Sequence, residues 1–414
     1  MHTSVPGTGA SGVGLRLRDP KISERSQLVR PFASMALNAR MAQMRDAGRD
    51  PIVMNIGEPS QGAPAPVRHR AAEIMSDGTD LGYSEVQGIL PLREAIAGHY
   101  RDWYGVDVDP NRIFVTAGSS VAFALTFLAC FDAGDRVAMA RPWYTAYEAV
   151  LRANGCEVVG LECGPESRFQ PTVEMLAAAH DEAPLSGIML ASPGNPTGTM
   201  LDGEQLHEIT EWARARGIRV ISDEIYQGIT YGPSRGETVI AHDPEAIVVN
   251  SFSKYWGMTG WRLGWVVVPE SIVPTLIALG GNLQLCAPVN SQWAAVEGFT
   301  EESYAECDAA VAGFARARQM VLDALPSLGW KDVAPCDGAF YIWGRLDAEV
   351  LGPYSDAAHW CAALLDEAEV ALSPGLDFDP YDGQMWVRMS LAVGPEKTRE
   401  ALDRIIRFTK KIND

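Results

Sequence analysis

Between residues 112 and 268, short apolar runs rich in β-branched side chains alternate with stretches of helical character, and this alternation restricts the fold more than any other feature of the chain. Residues 112–116, 136–140, 158–161, 187–190, 218–222, 247–250 and 264–268 read as strands. Helices are expected between them: from Gly118-Ser119-Ser120 to about Phe131, over 143–153, near 172–180, and over 203–216, closed by Gly217. Such a pattern builds an α/β fold, a mainly parallel sheet flanked by helices. Upstream, a strand at 52–56 lies between helices at 35–47, with Ser34 as a candidate cap, and 64–75. Beyond about residue 300 the texture changes to a long helix at 302–325, short strands near 338–343, 370–372 and 386–390, and a final helix at 396–411. A chain of 414 residues exceeds one small core. The expected division is 1–48 as an N-terminal arm and part of a smaller domain, 49–300 as a large domain, and 301–414 as a small α+β domain.

Open α/β sheets place ligands just past the C-terminal ends of their strands, and the loops there carry the chemistry. SFSKYWGMTGWRLGW, residues 251–265, holds Lys254 among small hydroxyls, glycines and tryptophans. A lysine against apolar surface loses part of its charge and becomes a nucleophile. Ser251, Ser253 and Arg262 suit a phosphate. A Schiff-base lysine with its own phosphate clamp points to pyridoxal phosphate; a surface loop with an ordinary lysine is the competing reading. Gly118-Ser119-Ser120 forms a helix N-terminus, whose free amides also suit a phosphate. In SPGNPTG, residues 192–198, two prolines and two glycines stiffen a loop around Asn195. Asp223, just past the strand at 218–222, is costly unless paired with a cation such as a protonated pyridinium nitrogen, or else it caps a helix. Tyr226 is placed to donate to that ring's phenolic oxygen, and Pro142-Trp143-Tyr144 offers aromatic faces for stacking.

Other classes of function are disfavoured. The net charge of -19 would repel a nucleic acid. Seven scattered cysteines without CxxC read as reduced core residues, and seven dispersed histidines without HExxH show no metal site. The GxGxxG at Gly7, Gly9 and Gly12 has no strand before it and reads as chance. No apolar signal core or membrane-length run is visible, so the cytoplasm is the expected compartment and no membrane partner is expected.

As a set, SPGNPTG at 192–198, SDEIY at 222–226, SFSK at 251–254 and GWRLGW at 260–265 resemble the fold-type-I, class I/II aminotransferase family. The likeness spans roughly residues 30–410. It implies that Lys254 holds pyridoxal 5'-phosphate as an aldimine, that Asp223 pairs with the pyridinium nitrogen, and that Asn195 and Tyr226 bond the phenolic oxygen. It implies a phosphate site of Ser251, Arg262, Ser119 and the amides around Gly118, with Ser120 and Ser253 beside it. Tyr144 matches the stacking aromatic, with Trp143 a competitor. Tyr83, in LGYSEVQG, matches a tyrosine that reaches a phosphate in the other subunit, which implies a homodimer. Arg388, in WVRMS, matches the binder of the substrate α-carboxylate, Gly57 lies in the substrate loop, and Asn195 borders the substrate. Pro374-Gly375 and 338–341 fit loops around the site.

The implied reaction is ping-pong transfer of an amino group from an L-amino acid to a 2-oxo acid. A lyase, cyclase, oxidase or synthase on the same scaffold is the alternative, and a non-catalytic ligand sensor a remote third. Ser120 stands where some relatives that prefer acidic substrates carry a lysine. Phe32, Phe340 and Trp386 hint at a pocket for apolar or aromatic amino acids.

Overall fold

The computed structural model describes residues 21–29 and 34–413, so the glycine motif at 7–12 and Phe32 lie outside it. Twelve strands occur among the described residues: β1 (Ile52–Val53), β2 (Ile113–Thr116), β3 (Arg136–Arg141), β4 (Glu157–Glu162), β5 (Gly187–Ala191), β6 (Arg219–Asp223), β7 (Ile247–Ser251), β8 (Gly264–Val267), β9 (Tyr341–Arg345), β10 (Val370–Ala371), β11 (Ser373–Pro374) and β12 (Trp386–Ser390). Seven of them form the main sheet in the order β2-β8-β7-β6-β5-β3-β4. The neighbours from β4 to β7 are parallel, whereas β8 runs antiparallel to both β2 and β7.

Both faces of this sheet are covered, which is why its strands read as near-continuous apolar runs. Alternate side chains enter two separate cores. Ile188, Leu190, Val220 and Val248 join one, while Met189, Ile221, Ile247 and Val249 join the other. The second core is roofed by helices Ser119–Cys130, Thr145–Ala153 and Val273–Leu283.

The one antiparallel strand decides where the site forms. Parallel β5, β6 and β7 bring their C-terminal ends to one edge, with Ala191 beside Asp223. Because β8 is reversed, its first residue, Gly264, pairs with the last residues of its neighbours, Ser251 and Thr116. Residues just before β8 therefore meet residues just after β2, β5, β6 and β7. Crowding there is severe: a Cβ on Gly264 would stand 2.9 Å from both the Ser119 amide nitrogen and the Asn250 carbonyl.

The rest of the chain packs against that edge. Helix Glu301–Leu328 is capped by Thr300 and stopped by left-handed Gly329, and it lies against helix Pro395–Asn413. A three-stranded antiparallel sheet, β11-β12-β9, carries Arg388. β1 pairs in parallel with β10, and Met41 and Met44 of helix Ser34–Asp46 pack on Leu365 and Ala371.

Some expected boundaries move. The strand expected at 338–343 begins at Tyr341, because Cys336 and Ala339 hold positive φ of 52° and 56° and break the extended run. The helix expected from 143 begins at Thr145, since Tyr144 is extended at φ -73°, ψ 118°. The strand at 52–56 shortens to β1. Helices Val273–Leu283, Val289–Ala295 and Ala357–Ala368 were not anticipated by the pattern.

Candidate active site

A cavity of about 340 Å³ opens at the shared strand edge. Of the expected site residues, Gly57, Ser119, Ser120, Tyr144, Asn195, Asp223, Tyr226, Ser253, Lys254, Arg262 and Arg388 line it. Asn38, Asn55, Ile56, Tyr147, Ile225, Tyr341, Ser373, Asp377 and Phe378 complete the wall.

Lys254 follows β7, and its Nζ donates to the Gly57 carbonyl at 2.6 Å. Burial lowers its amine to about 8, and the Arg388 guanidinium pulls the same way. Asp223 closes β6 and is 4% exposed. Burial raises its carboxyl to about 6 against hydrogen bonds from Tyr147 and the Ile225 amide, with the Lys254 charge also opposing it. Tyr147 donates to Asp223 Oδ2, and the Ile225 amide donates to Oδ1 at 3.0 Å. A buried carboxylate held by two donors is set to face a cation in the cavity.

At the other wall, Gly118 precedes helix Ser119–Cys130 with φ 81°, and a Cβ there would collide with the Arg262 guanidinium. Only glycine lets the chain turn and the guanidinium approach together. Arg262 sits in the left-handed region at φ 53° and donates through Nη1 to the Thr259 carbonyl at 2.8 Å. The first amides of the helix, the hydroxyls of Ser119, Ser120 and Ser253, and this guanidinium make an anion cradle. Ser251 differs from expectation. It is fully buried one layer behind, bonded to Ser253 Oγ at 2.9 Å and the Leu263 carbonyl at 3.0 Å, and it does not line the cavity.

Arg388 enters from β12 and is 6% exposed. Its Nη1 donates to Asn195 Oδ1 at 2.9 Å and its Nη2 to the Asn55 carbonyl at 2.8 Å. Its guanidinium lies between the rings of Tyr341 and Phe378, 4.4 and 4.5 Å from their centroids. Its Nε has no hydrogen-bond partner, and no carboxylate pairs with it among the described residues. A buried guanidinium with only neutral acceptors has the charge and fork geometry to take a carboxylate.

The aromatic alternatives separate. Tyr144 faces the cavity, with its ring edge-on to Tyr147 at 5.4 Å, whereas Trp143 is 4% exposed within the apolar core beneath the sheet. Phe340 and Trp386 do not line the cavity: Phe340 packs on Phe314, and Trp386 stacks on Trp343 at 5.2 Å. Tyr83 is 83% exposed and outside the cavity of its own chain. Sequence reasoning missed Tyr147 and left Tyr341 without a role. The signal for Tyr147 was its position three residues after Tyr144, on one face of a helix start. Tyr341 gave no such signal, because its part in the site depends on strand pairing. Among the described residues no group of histidines, cysteines and acids is placed to hold a metal.

A family model for class I and II aminotransferases matches residues 49–405. The chain is 46% identical over 378 residues to a valine–pyruvate aminotransferase of Mycobacterium tuberculosis, covering 91% of this chain and 96% of that one. It is 32% identical over 388 residues to an aspartate/prephenate aminotransferase of Thermus thermophilus, covering 93% and 98%. Among solved structures, an aminotransferase from Mycobacterium tuberculosis superposes with a TM-score of 0.90 at 44% identity, covering 95% and 100%. Aspartate aminotransferase from Thermus thermophilus with maleate gives 0.86 at 31% identity, covering 94% and 99%.

Proposed function

This chain belongs to the class I and II aminotransferases and is a pyridoxal-phosphate-dependent transaminase of amino and 2-oxo acids, and from that premise we propose that its preferred donor is an amino acid with a neutral, apolar side chain. The residues present fit the cofactor. Gly118 leaves a cradle that any Cβ would fill, beside a guanidinium and three serine hydroxyls. Opposite, a buried carboxylate awaits a cation.

Pyridoxal phosphate supplies, when bound, the electron sink for negative charge at the substrate Cα. Asp223 holds a proton on the pyridine nitrogen, and Tyr147 fixes the Asp223 carboxylate for that task. Asn195 and Tyr226 would serve the phenolic oxygen, and Tyr144 would offer its ring face to the cofactor. Ser119, Ser120, Ser253, Arg262 and the helix amides hold the phosphate, with Ser251 bracing Ser253. Lys254 bears the covalent attachment. The same amine, which burial lowers to about 8, would be placed to accept the substrate Cα proton as a general base. Arg388 anchors the α-carboxylate, and Gly57 shapes the wall next to it.

One observation carries the donor preference. Beyond Arg388, Arg262 and Lys254, the cavity has no cation among the described residues, and Asn38, Ile56 and Phe378 stand in its wall without charge. The Mycobacterium tuberculosis relative named for valine and pyruvate supports the same preference. A panel of amino acids, scored by loss of cofactor absorbance in a single half-reaction, tests it. Valine and similar aliphatic donors should react fastest, and aspartate or glutamate reacting faster would refute it.

Supporting a homodimer, Tyr83 is exposed beside Met75 and Leu283, which are 66% and 60% exposed, so an apolar face awaits a second copy whose phosphate Tyr83 reaches. Supporting the division near residue 300, helix Ser34–Asp46 packs with the C-terminal part, which fits an N-terminal arm shared with the smaller domain; β1, counted in the large domain, pairs there too and would move the arm's end to about residue 53. Supporting the cytoplasm, all seven cysteines are free thiols. No helix among the described residues is long and apolar enough to cross a membrane.

A further inference from the structure

Tyr341 has no part in the roles above, yet it touches three of their residues. Its hydroxyl lies 2.7 Å from that of Tyr226. Its ring lies under the Arg388 guanidinium at 4.4 Å. A Cβ on Gly57 would overlap its hydroxyl, so the Gly57 backbone presses on the same oxygen. Strand pairing explains the convergence. On β9 and β12, Trp343 stands opposite Arg388 and Tyr341 opposite Ser390, so Tyr341 and Arg388 are diagonal neighbours on one face.

We propose that Tyr341 is a positioning residue that donates its hydroxyl proton to Tyr226 and thereby turns the single proton of Tyr226 toward the cofactor's phenolic oxygen. The inference rests on the reading of Tyr226 given above. Each phenol carries one proton. Tyr226 is the only hydrogen-bonding partner of the Tyr341 hydroxyl among the described residues, and both side chains line the cavity. With the anionic oxygen placed at Tyr226, the order Tyr341 to Tyr226 to oxygen directs both protons along one chain to it. The reverse order spends the Tyr226 proton on Tyr341 and leaves that oxygen without the bond from Tyr226. The guanidinium over the Tyr341 ring makes that phenol the better donor of the two. Both side chains are largely buried, at 1% and 4% exposure, and in such surroundings the two bonds polarise each other.

The test is the pH titration of visible absorbance in the cofactor-loaded protein, run on the wild type, Tyr341→Phe, Tyr226→Phe and the double variant. A weaker donor leaves more negative charge on the phenolic oxygen, which holds the neighbouring nitrogen's proton more firmly. The midpoint must therefore rise. Tyr341→Phe should raise it by roughly half a pH unit, as expected for losing cooperative support of one charge-assisted bond. Tyr226→Phe should raise it further, and adding Tyr341→Phe to Tyr226→Phe should change nothing. Tyr341→Phe removes one oxygen and keeps the ring. Gly57→Ala is a second lever that leaves Tyr341 intact: its methyl displaces the hydroxyl and should move the midpoint in the same direction. The inference is overturned if Tyr226→Phe moves the midpoint while Tyr341→Phe and Gly57→Ala do not, or if Tyr341→Phe shifts it equally in both backgrounds. If Tyr226→Phe itself leaves the midpoint unmoved, the assignment of Tyr226 falls, and this inference with it.

Discussion

Arg388→Lys isolates what the fork at Arg388 contributes, because it keeps the positive charge and removes the second prong. In the structure both terminal nitrogens are aimed by acceptors, Nη1 by Asn195 at 2.9 Å and Nη2 by Asn55 at 2.8 Å, and two rings clamp the plane. A lysine ammonium makes neither the planar stack nor two parallel bonds to one carboxylate. A hydrogen bond to a charged group contributes about 1.5–3 kcal/mol. Losing one such bond and part of the aim costs about 2–4 kcal/mol. At about 1.4 kcal/mol per decade this becomes a roughly 30- to 1,000-fold fall in kcat/KM for valine. The control is isobutylamine, the same side chain without the carboxylate, followed by loss of cofactor absorbance. Its slow reaction should change little, so the preference for the amino acid over the amine should shrink by the same factor. Equal losses for both compounds, or valine activity close to wild type, would refute the assignment of Arg388 to the carboxylate.

Three further outcomes are expected. The Lys254 amine is lowered to about 8, so its neutral, reactive form dominates above that pH; capture of pyridoxal phosphate by the apoprotein, followed by stopped-flow absorbance, should speed up through about pH 8 and then level off. A rate still climbing toward about pH 10.4, the value for an ordinary lysine, would contradict this. Tyr147→Phe removes a donor from the buried Asp223 carboxylate and should weaken cofactor affinity by roughly tenfold or more, as for other lost bonds to charged groups, with an unchanged dissociation constant counting against the role given to Tyr147. Leu283→Asp puts a charge into the exposed apolar face beside Tyr83 and Met75 and should produce monomers that load cofactor poorly; sedimentation that still reports a dimer would place the interface elsewhere.

The cofactor-facing half of the site was legible because each of its residues lies just after one strand. Asn195 follows β5, Asp223 ends β6 and Lys254 follows β7, so local pattern plus the rule for strand ends was enough. Gly118 and Arg262 were legible as motifs, but their contact was not. It needs β8 to run backwards between β2 and β7, and no periodicity in a short apolar run encodes direction. Ser251 lies one layer further back than expected because it is still the last residue of β7, its hydroxyl bonded to Ser253 and the Leu263 carbonyl, whereas Ser253 lies in the turn beyond the strand and reaches the cavity. The aromatic hints Phe340 and Trp386 failed for a general reason: large rings usually fill cores, and these two pack on Phe314 and Trp343. Tyr341 and Arg388 meet only through the register of β9 on β12, a long-range fact that the sequence alone does not state.

Charge explains why this cavity suits its two ligands and restricts a third. The chain carries 53 acidic residues against 34 basic ones, so a guanidinium left without a carboxylate partner runs against the average of the molecule. Arg388 contacts only an amide oxygen, a carbonyl and a hydroxyl, and the hydrogen bond of Arg262 goes to a carbonyl. Keeping such cations at a cavity wall is unfavourable unless anions arrive from outside. One anion is the phosphate of the cofactor, at the helix N-terminus where Arg262 stands. The other is the α-carboxylate of the substrate, at Arg388. A side-chain carboxylate would be a third anion, with no further cation in the wall among the described residues to receive it. On the proposed donor preference, aspartate and glutamate face a cost that valine does not, and introducing a lysine at Ser120, in the same wall, should narrow the gap between them.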